Sequence, residues 1–228
     1  MKYLPKNKEE LKALCDDLKV NLGDIDTSRI TDMSELFWKS KRTNDQFSGI
    51  ENWDVSNVTN MASMFRFAKN FNQPLDNWDV SKVNNMSFMF FLAEEFNQAL
   101  DSWNVSNVKG MSFMFHRSEF NKDISNWDVS NVNDMTAMFE NAKKFNQSLD
   151  TWTINDECSL NLFAYKCPIE NDLTKLPKAL VEDLIKENDE TYTQEQLNAV
   201  AEKFSLDISN IKPKPQIEKL IEENSISR

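Results

Sequence analysis

Hydrophobic and polar positions along the chain repeat with a period of about 25 residues. The repeat is marked by Trp53, Trp78, Trp103, Trp127 and Trp152, and each of the first four is followed by the same pattern, W-[DN]-V-S-x-V-x-x-M-x-x-M-F. A degenerate copy precedes this array and an atypical copy ends it, as expected for terminal repeats that pack on one side only. A unit of this length cannot bury its own apolar face, so neighbouring units must stack.

Within one period the apolar spacing predicts a short helix. After Ser56, apolar residues recur three, three, one and three positions apart, at Val58, Met61, Met64, Phe65 and Ala68. Such spacing places side chains on one stripe of a helix, here over residues 57–68. The hydroxyl of Ser56 is placed to cap that helix, as are the hydroxyls of its counterparts Ser81, Ser106 and Ser130.

The other half of the period predicts a short strand. Leu75, Trp78 and Val80 are separated by polar residues and bounded by Asn and Asp. Parallel strands stack at about 4.8 Å, whereas helices need about 10 Å. The fold class predicted is therefore an α/β repeat solenoid, a leucine-rich-repeat-like arc of about six coils over residues 24–167, with strands inside and helices outside. Recurrent Phe-Asn pairs predict an internal ladder of amides, at Phe71-Asn72, Phe96-Asn97, Phe120-Asn121 and Phe145-Asn146.

The pattern predicts helices on both sides of the repeats. Residues 1–23 contain a predicted capping helix over 8–18, with Leu11, Leu14, Cys15 and Leu18 on one face. Residues 168–228 form a predicted helical C-terminal segment, with helices over 176–188 and 193–204, the second opening with a capping box. A third is expected beyond Pro215, with Ile217, Leu220 and Ile221 on one face. These helices either make a small bundle or cover the last coil or a partner subunit.

The stretch FNQPLDNWDVSKVNNMSFMF, residues 71–90, resembles the repeat of the BspA-like leucine-rich-repeat surface proteins, a bacterial family of unknown function. The resemblance covers about 140 residues and rests on Trp, Val, Ser, Met, Phe and Phe-Asn recurring in register. It implies a curved repeat scaffold and, in several relatives, attachment to host proteins or other cells. No catalytic residue belongs to this resemblance.

Composition and charge limit the cellular locations and the kinds of partner expected for the chain. The formal net charge of −11 argues against nucleic acid or an anionic membrane surface as a partner. The N-terminal text has no apolar region typical of a secretory signal, and the longest apolar stretch, residues 88–93, is far shorter than the roughly 18 residues that span a bilayer. The sequence alone predicts a cytoplasmic chain without membrane insertion, whereas the resemblance implies the cell surface. Three scattered cysteines predict reduced thiols and no metal site.

No pattern in the chain predicts catalysis. Only three glycines and one histidine are present, and neither a phosphate-binding loop nor a nucleophile or zinc motif occurs. His116 stands at a variable position and is expected to be a solvated surface residue. The repeated Trp, Met and Phe are expected to form the core, without a cofactor.

Two columns of acidic residues form the first candidate site, on the strand-bearing face. They comprise Asp54, Asp79 and Asp128, with Asn104 in register, and Asp76, Asp101 and Asp150, with Ser125 in register. Three interpretations stay open. The carboxylates can favour the positive ends of the predicted helices, bind a cation between coils, or recognise a basic partner.

An apolar patch on the outer face is the second candidate. Phe88 and Phe113 stand where other copies have Ser63 and Ala137, and helical geometry would point them away from the core, near Phe67, Phe91 and Leu92. Either this patch binds another protein or a second copy of the chain, or neighbouring segments fold over it. We therefore expect a non-catalytic protein-recognition scaffold, adhesin-like or intracellular. A metal-stabilised structural protein is the alternative.

Overall fold

The computed structural model describes residues 3–187 and 191–214. Three α-helices lie in these ranges, α1 (Lys8–Asp16), α2 (Lys178–Lys186) and α3 (Gln194–Phe204). Five short 3₁₀ helices accompany them, at Leu22–Asp24, Asn44–Phe47, Ile50–Asn52, Pro168–Asn171 and Leu173–Lys175. All three α-helices lie outside the repeats, in the two flanks.

The repeats form a stack of irregular coils held in parallel register. Isolated bridges join one position in each coil to the same position in the next, through Asp32, Asn60, Asn85, Gly110, Asp134 and Ser159. Within the described ranges this pairing never extends into a strand. The predicted strand around Leu75, Trp78 and Val80 is therefore wrong.

The predicted repeat helix is also wrong, because residues 62–67 and their counterparts form turns. Two residues in each of these segments have positive φ, such as Ser63 at 59° and Phe67 at 61°, and a right-handed helix excludes that conformation. Ser56 consequently caps no helix. The α/β solenoid prediction fails on both counts, and so does the reason for an arc, since no helix widens one side of the stack.

Turns replace the helix because the backbone bonds in two directions. Within a coil, Met64 N–H donates to the carbonyl of Met61 at 3.2 Å and closes a turn. Between coils, Ser63 N–H donates to the carbonyl of Ser87 at 2.8 Å. The hydrophobic spacing is the same for a helix and for this run of turns, so the pattern alone could not separate them.

One continuous core runs through the stack. The repeated Trp, Met and Phe are buried, which confirms their prediction as framework. Phe rings stack from coil to coil, for example Phe65 on Phe90 at 5.6 Å between centroids. The hydrogen bonds of the predicted amide ladder are confirmed, since the side-chain oxygen of Asn72 accepts the backbone N–H of Asn97 at 3.0 Å. The prediction that the ladder is internal is wrong, because Asn72 and Asn97 are only half-buried and Asn146 is exposed.

The flanks close the two ends of this core. In α1, Leu11 and Cys15 are buried, whereas Leu18 lies beyond the helix and is exposed, contrary to prediction. At the other end α2 and α3 pack onto the last coil, and Leu149 N–H donates to the carbonyl of Lys175 at 2.7 Å. The predicted capping box at Thr193 and Gln196 is confirmed. The predicted third helix lies outside the described residues.

Candidate functional site

The run of turns gives each coil a set of side chains on one outer surface, which we call the turn face. Its residues occupy three equivalent positions in successive coils. They are Glu35, Ser63, Phe88, Phe113, Ala137 and Leu162, then Trp38, Arg66, Phe91, His116, Glu140 and Tyr165, and finally Lys39, Phe67, Leu92, Arg117, Asn141 and Lys166. Residues of the first and third sets have positive φ.

Four phenylalanines on the middle coils of this face form a cluster, which we call the aromatic cluster: Phe67, Phe88, Phe91 and Phe113. Phe88 stacks on Phe113 with ring centroids 4.8 Å apart and planes at 7°. Phe91 contacts Phe67 at 5.3 Å and Phe88 at 5.7 Å. All four side chains are half-buried, so one side of the cluster faces solvent.

The structure thus brings together the apolar residues that the sequence singled out. Leu92 is half-buried on the same face, next to Phe91 in the chain. The predicted reason for their exposure, helical geometry, is wrong because these segments form turns. Their positions follow from the run of turns, in which Phe88 and Phe113 hold the first position, Phe91 the second, and Phe67 and Leu92 the third.

Two polar members of the site, Arg66 and His116, were missed. Arg66 places its guanidinium over Phe88 at 4.8 Å and over Phe91 at 5.0 Å. His116, predicted to be solvated, is instead buried, at 8% exposure, and stacks on Phe91 at 4.6 Å. The sequence did contain a signal for both residues, because the position that they share holds a different residue in every coil. It did not show which rings they contact, because Phe88 and Phe91 lie in coils next to theirs.

Burial governs the protonation of His116. Desolvation lowers the pKa of the imidazole, while Glu140, whose carboxylate lies 3.3 Å from Nδ1, opposes the shift, and Arg117 adds to it. The net effect lowers the pKa of His116, so the ring is neutral at pH 7. A neutral ring stacks on Phe91 without the cost of burying a charge.

The acidic columns do not converge on a site. Asp128 Oδ1 accepts the hydroxyl of Ser130 at 2.6 Å and its backbone N–H at 3.1 Å. These two hydrogen bonds hold the pKa of Asp128 below its usual value. The interpretation that the carboxylates face helix N-termini is wrong, since a turn takes the place of each helix.

The remaining acidic positions follow the same pattern or lie apart. Asp54 and Asp79 accept hydrogen bonds from Ser56 and Ser81, as Asn104 does from Ser106. Asp76 and Asp101 are exposed, and Asp150 pairs with Lys203 at 2.8 Å. In the described part of the chain, no three His, Cys, Asp or Glu side chains are grouped so that they could hold a metal ion.

The cysteines are separate from both surfaces. Cys15, Cys158 and Cys167 are free thiols, and Cys167 Sγ donates to the carbonyl of Phe145 at 3.3 Å. Burial raises the pKa of Cys158 and of Cys167 to about 11. These thiols are therefore protonated at neutral pH and poor nucleophiles.

Stacked coils built from turns, with a half-exposed aromatic cluster on one face, define this chain as a repeat protein with an irregular backbone. A family model described as "Mycoplasma protein of unknown function, DUF285" matches residues 7–119 and again residues 76–176. These overlapping matches span most of the chain, which belongs to this family. No curated protein and no solved structure matches it. Across the described residues, no helix is both long enough and apolar enough to cross a bilayer.

Proposed function

We propose that the chain is a non-catalytic protein-recognition module and that the aromatic cluster is its contact surface. One observation carries the proposal. Four half-exposed phenylalanines meet on the middle coils, and two of them, Phe88 and Phe113, stand where other copies have Ser63 and Ala137. Contiguous exposed apolar surface of this kind is typical of protein–protein contacts, which are enriched in aromatic residues.

The backbone at these positions makes the choice of phenylalanine costly. Phe88 and Phe113 have φ of 61° and 56°, a conformation that costs a bulky residue roughly 1–2 kcal/mol. Part of each ring stays in water in the free chain. A partner that covers them would recover the apolar area that the free chain leaves in water.

The family resemblance supports the same reading. The BspA-like pattern implies attachment to proteins or cells, which is an adhesin-like role, and an intracellular partner-binding role uses the same surface. A metal-stabilised structural role has no support from the acidic columns, because the paired carboxylates already accept hydrogen bonds from their own coils.

The experiment replaces the rings without disturbing the turns. Asn tolerates positive φ better than other non-glycine residues, so Phe88→Asn with Phe113→Asn removes both rings and keeps the backbone. Glu35→Asn is the matched control, because Glu35 is exposed, has φ of 59° and occupies the equivalent position in an early coil. All three chains are used as baits in native lysate of the source cells, and self-association is followed by sedimentation velocity.

We expect wild type and the control to capture the same protein, or to self-associate equally, and the double variant to lose this by at least about tenfold, or 1.4 kcal/mol. Melting temperatures measured alongside establish that all three chains are folded. Undiminished capture and unchanged self-association in the folded double variant would place the contact surface elsewhere.

A further inference from the structure

Arg66 lies among the rings of the aromatic cluster. Its guanidinium carbon lies 5.3 Å from the ring centroid of Phe67, 4.8 Å from that of Phe88 and 5.0 Å from that of Phe91. Three rings from two adjacent coils therefore fix the side chain. Stacking of this kind orders the guanidinium before anything binds, which reduces the entropy that binding would cost.

The same guanidinium has no anionic partner in the described part of the chain. Its Nε is buried and makes no hydrogen bond there, and no carboxylate lies within ion-pair distance. Its terminal N–H groups make no hydrogen bond to described residues either, and they are not sealed from solvent. None of the carboxylates in residues 3–187 and 191–214 therefore pairs with this cation.

Arg42 shows how the fold treats a purely structural arginine. That side chain is 1% exposed, and its guanidinium donates to the carbonyls of Cys15 at 3.0 Å, Asp17 at 2.8 Å and Gln46 at 2.9 Å. All three branches of the fork are used. Arg66 differs because its terminal N–H groups make no hydrogen bond to described residues and are accessible to solvent.

The surroundings of Arg66 are cationic although the chain as a whole is acidic. Lys39 lies 5.8 Å from the ring of Phe67, and Arg117 is exposed on the turn face near His116. Of the nearby acids, Glu140 faces His116, and Glu35 stands on the first coil of the face. The local field therefore favours an incoming anion.

We propose that Arg66 receives an Asp or Glu side chain of a partner segment whose neighbouring apolar side chains cover the aromatic cluster. This rests on the proposed function and names the chemistry of its partner. Arg is suited to the role because its planar fork binds both oxygens of a carboxylate. Phe67 belongs to one coil and Phe88 and Phe91 to the next, so a partner that covers all three rings needs several apolar side chains around its carboxylate. A side-chain carboxylate within a segment meets this need better than a chain terminus.

The test uses the full chain labelled with ¹⁵N and two blocked dipeptides as probes, acetyl-Phe-Glu-amide and acetyl-Phe-Gln-amide. They differ only in the charge of one side chain and have no terminal carboxylate. The Nε–H signal of Arg66 is assigned by its loss in Arg66→Lys, and the Nε–H signal of Arg42 is the internal control.

At millimolar concentration the Glu probe should shift the Arg66 signal in a saturable way and leave the Arg42 signal unmoved. The Gln probe should bind at least about tenfold more weakly, as should the Glu probe to Arg66→Lys, where the backbone amide signals of Phe67 and Phe91 report binding because the Arg66 signal is absent. Equal affinity for the two probes, or no shift with either, would overturn the proposal. A third probe, acetyl-Gln-Phe, carries a free terminal carboxylate and no charged side chain. If this probe shifts the Arg66 signal and the Glu probe does not, the proposal is overturned as well.

A second readout separates this inference from the proposed function. Arg66→Met keeps an apolar side chain against the rings and removes the charge. If Phe88→Asn with Phe113→Asn abolishes partner capture and Arg66→Met leaves it unchanged, the recognition surface stands and the carboxylate contact fails. Loss in both variants, with melting temperatures preserved, supports both.

Discussion

Each repeated tryptophan is fixed by one hydrogen bond to an earlier coil. The indole N–H of Trp103 donates to the carbonyl of Leu75 at 2.8 Å, and that of Trp127 donates to Leu100 at 3.0 Å. Burial of these rings follows from the sequence pattern. The acceptor does not, because it lies 28 residues earlier and becomes a neighbour only through stacking.

Trp103 therefore offers a test of the packing between coils. Trp103→Ala should lower the free energy of unfolding by about 3–5 kcal/mol, because it leaves a cavity and removes one of the two hydrogen bonds to the carbonyl of Leu75. Trp103→Phe keeps a ring and should cost less, although the carbonyl of Leu75 loses the indole N–H and retains only the backbone N–H of Trp78. Urea unfolding measures both, and a loss below about 1 kcal/mol for Trp103→Ala would mean that the ring is not buried in solution.

The candidate site shows the same limit of sequence reasoning at single residues. Phe88 and Phe113 were found because they differ from Ser63 and Ala137 in otherwise similar copies. Arg66 and His116 were missed, since their ring contacts cross from one coil to the next. Comparison of the copies shows which positions can vary without changing the core. The stacking of coils determines which side chains at those positions come into contact.

At the scale of the element, the decisive feature is the run of turns that replaces the predicted helix. Positive φ recurs at every fourth residue of this run, at Ser63 and Phe67 and at Phe88 and Leu92 in the next coil. The strain is offset because each run donates backbone N–H groups to the next coil. Periodicity could not predict this outcome, because it records which side chains are buried and not where the backbone hydrogen bonds go.

A pair of glycine substitutions separates the turns from a helix. Glycine adopts positive φ without strain, so Ser63→Gly should be neutral or stabilise the chain by up to about 1 kcal/mol. Ala62→Gly, one residue earlier and without positive φ, should destabilise it by about 0.5–1 kcal/mol. Chemical unfolding of the two variants gives the comparison. In a helix both substitutions would destabilise, so an equal loss in both would contradict the turn.

At the scale of the whole molecule, the ladders between coils and the end caps serve one continuous core. The hydrogen-bonded bridges, the Asn ladder and the Phe stacks keep successive coils in register. The ends are covered by α1 on one side and by α2 and α3 on the other. The stacked repeat and its terminal helices were predictable from the period and the caps, whereas the path of the backbone within a coil was not.

This architecture leaves the turn face free to vary from coil to coil. Framework residues point inward, and the outward positions on neighbouring coils carry an acid, a base or a ring without altering the core. The proposed recognition surface is therefore a property of the stack, since no single coil contains the aromatic cluster.

The most direct test of this account is to map where a bound partner covers the chain. Hydroxyl-radical footprinting of the wild-type chain, alone and with the protein that it captures, reports the solvent access of each aromatic side chain. We predict that oxidation of Phe88, Phe91 and Phe113 falls several-fold in the complex, while Tyr3, which is 36% exposed and lies outside the turn face, keeps its rate. Unchanged oxidation of these phenylalanines, with protection elsewhere, would contradict the assignment of the turn face as the recognition surface.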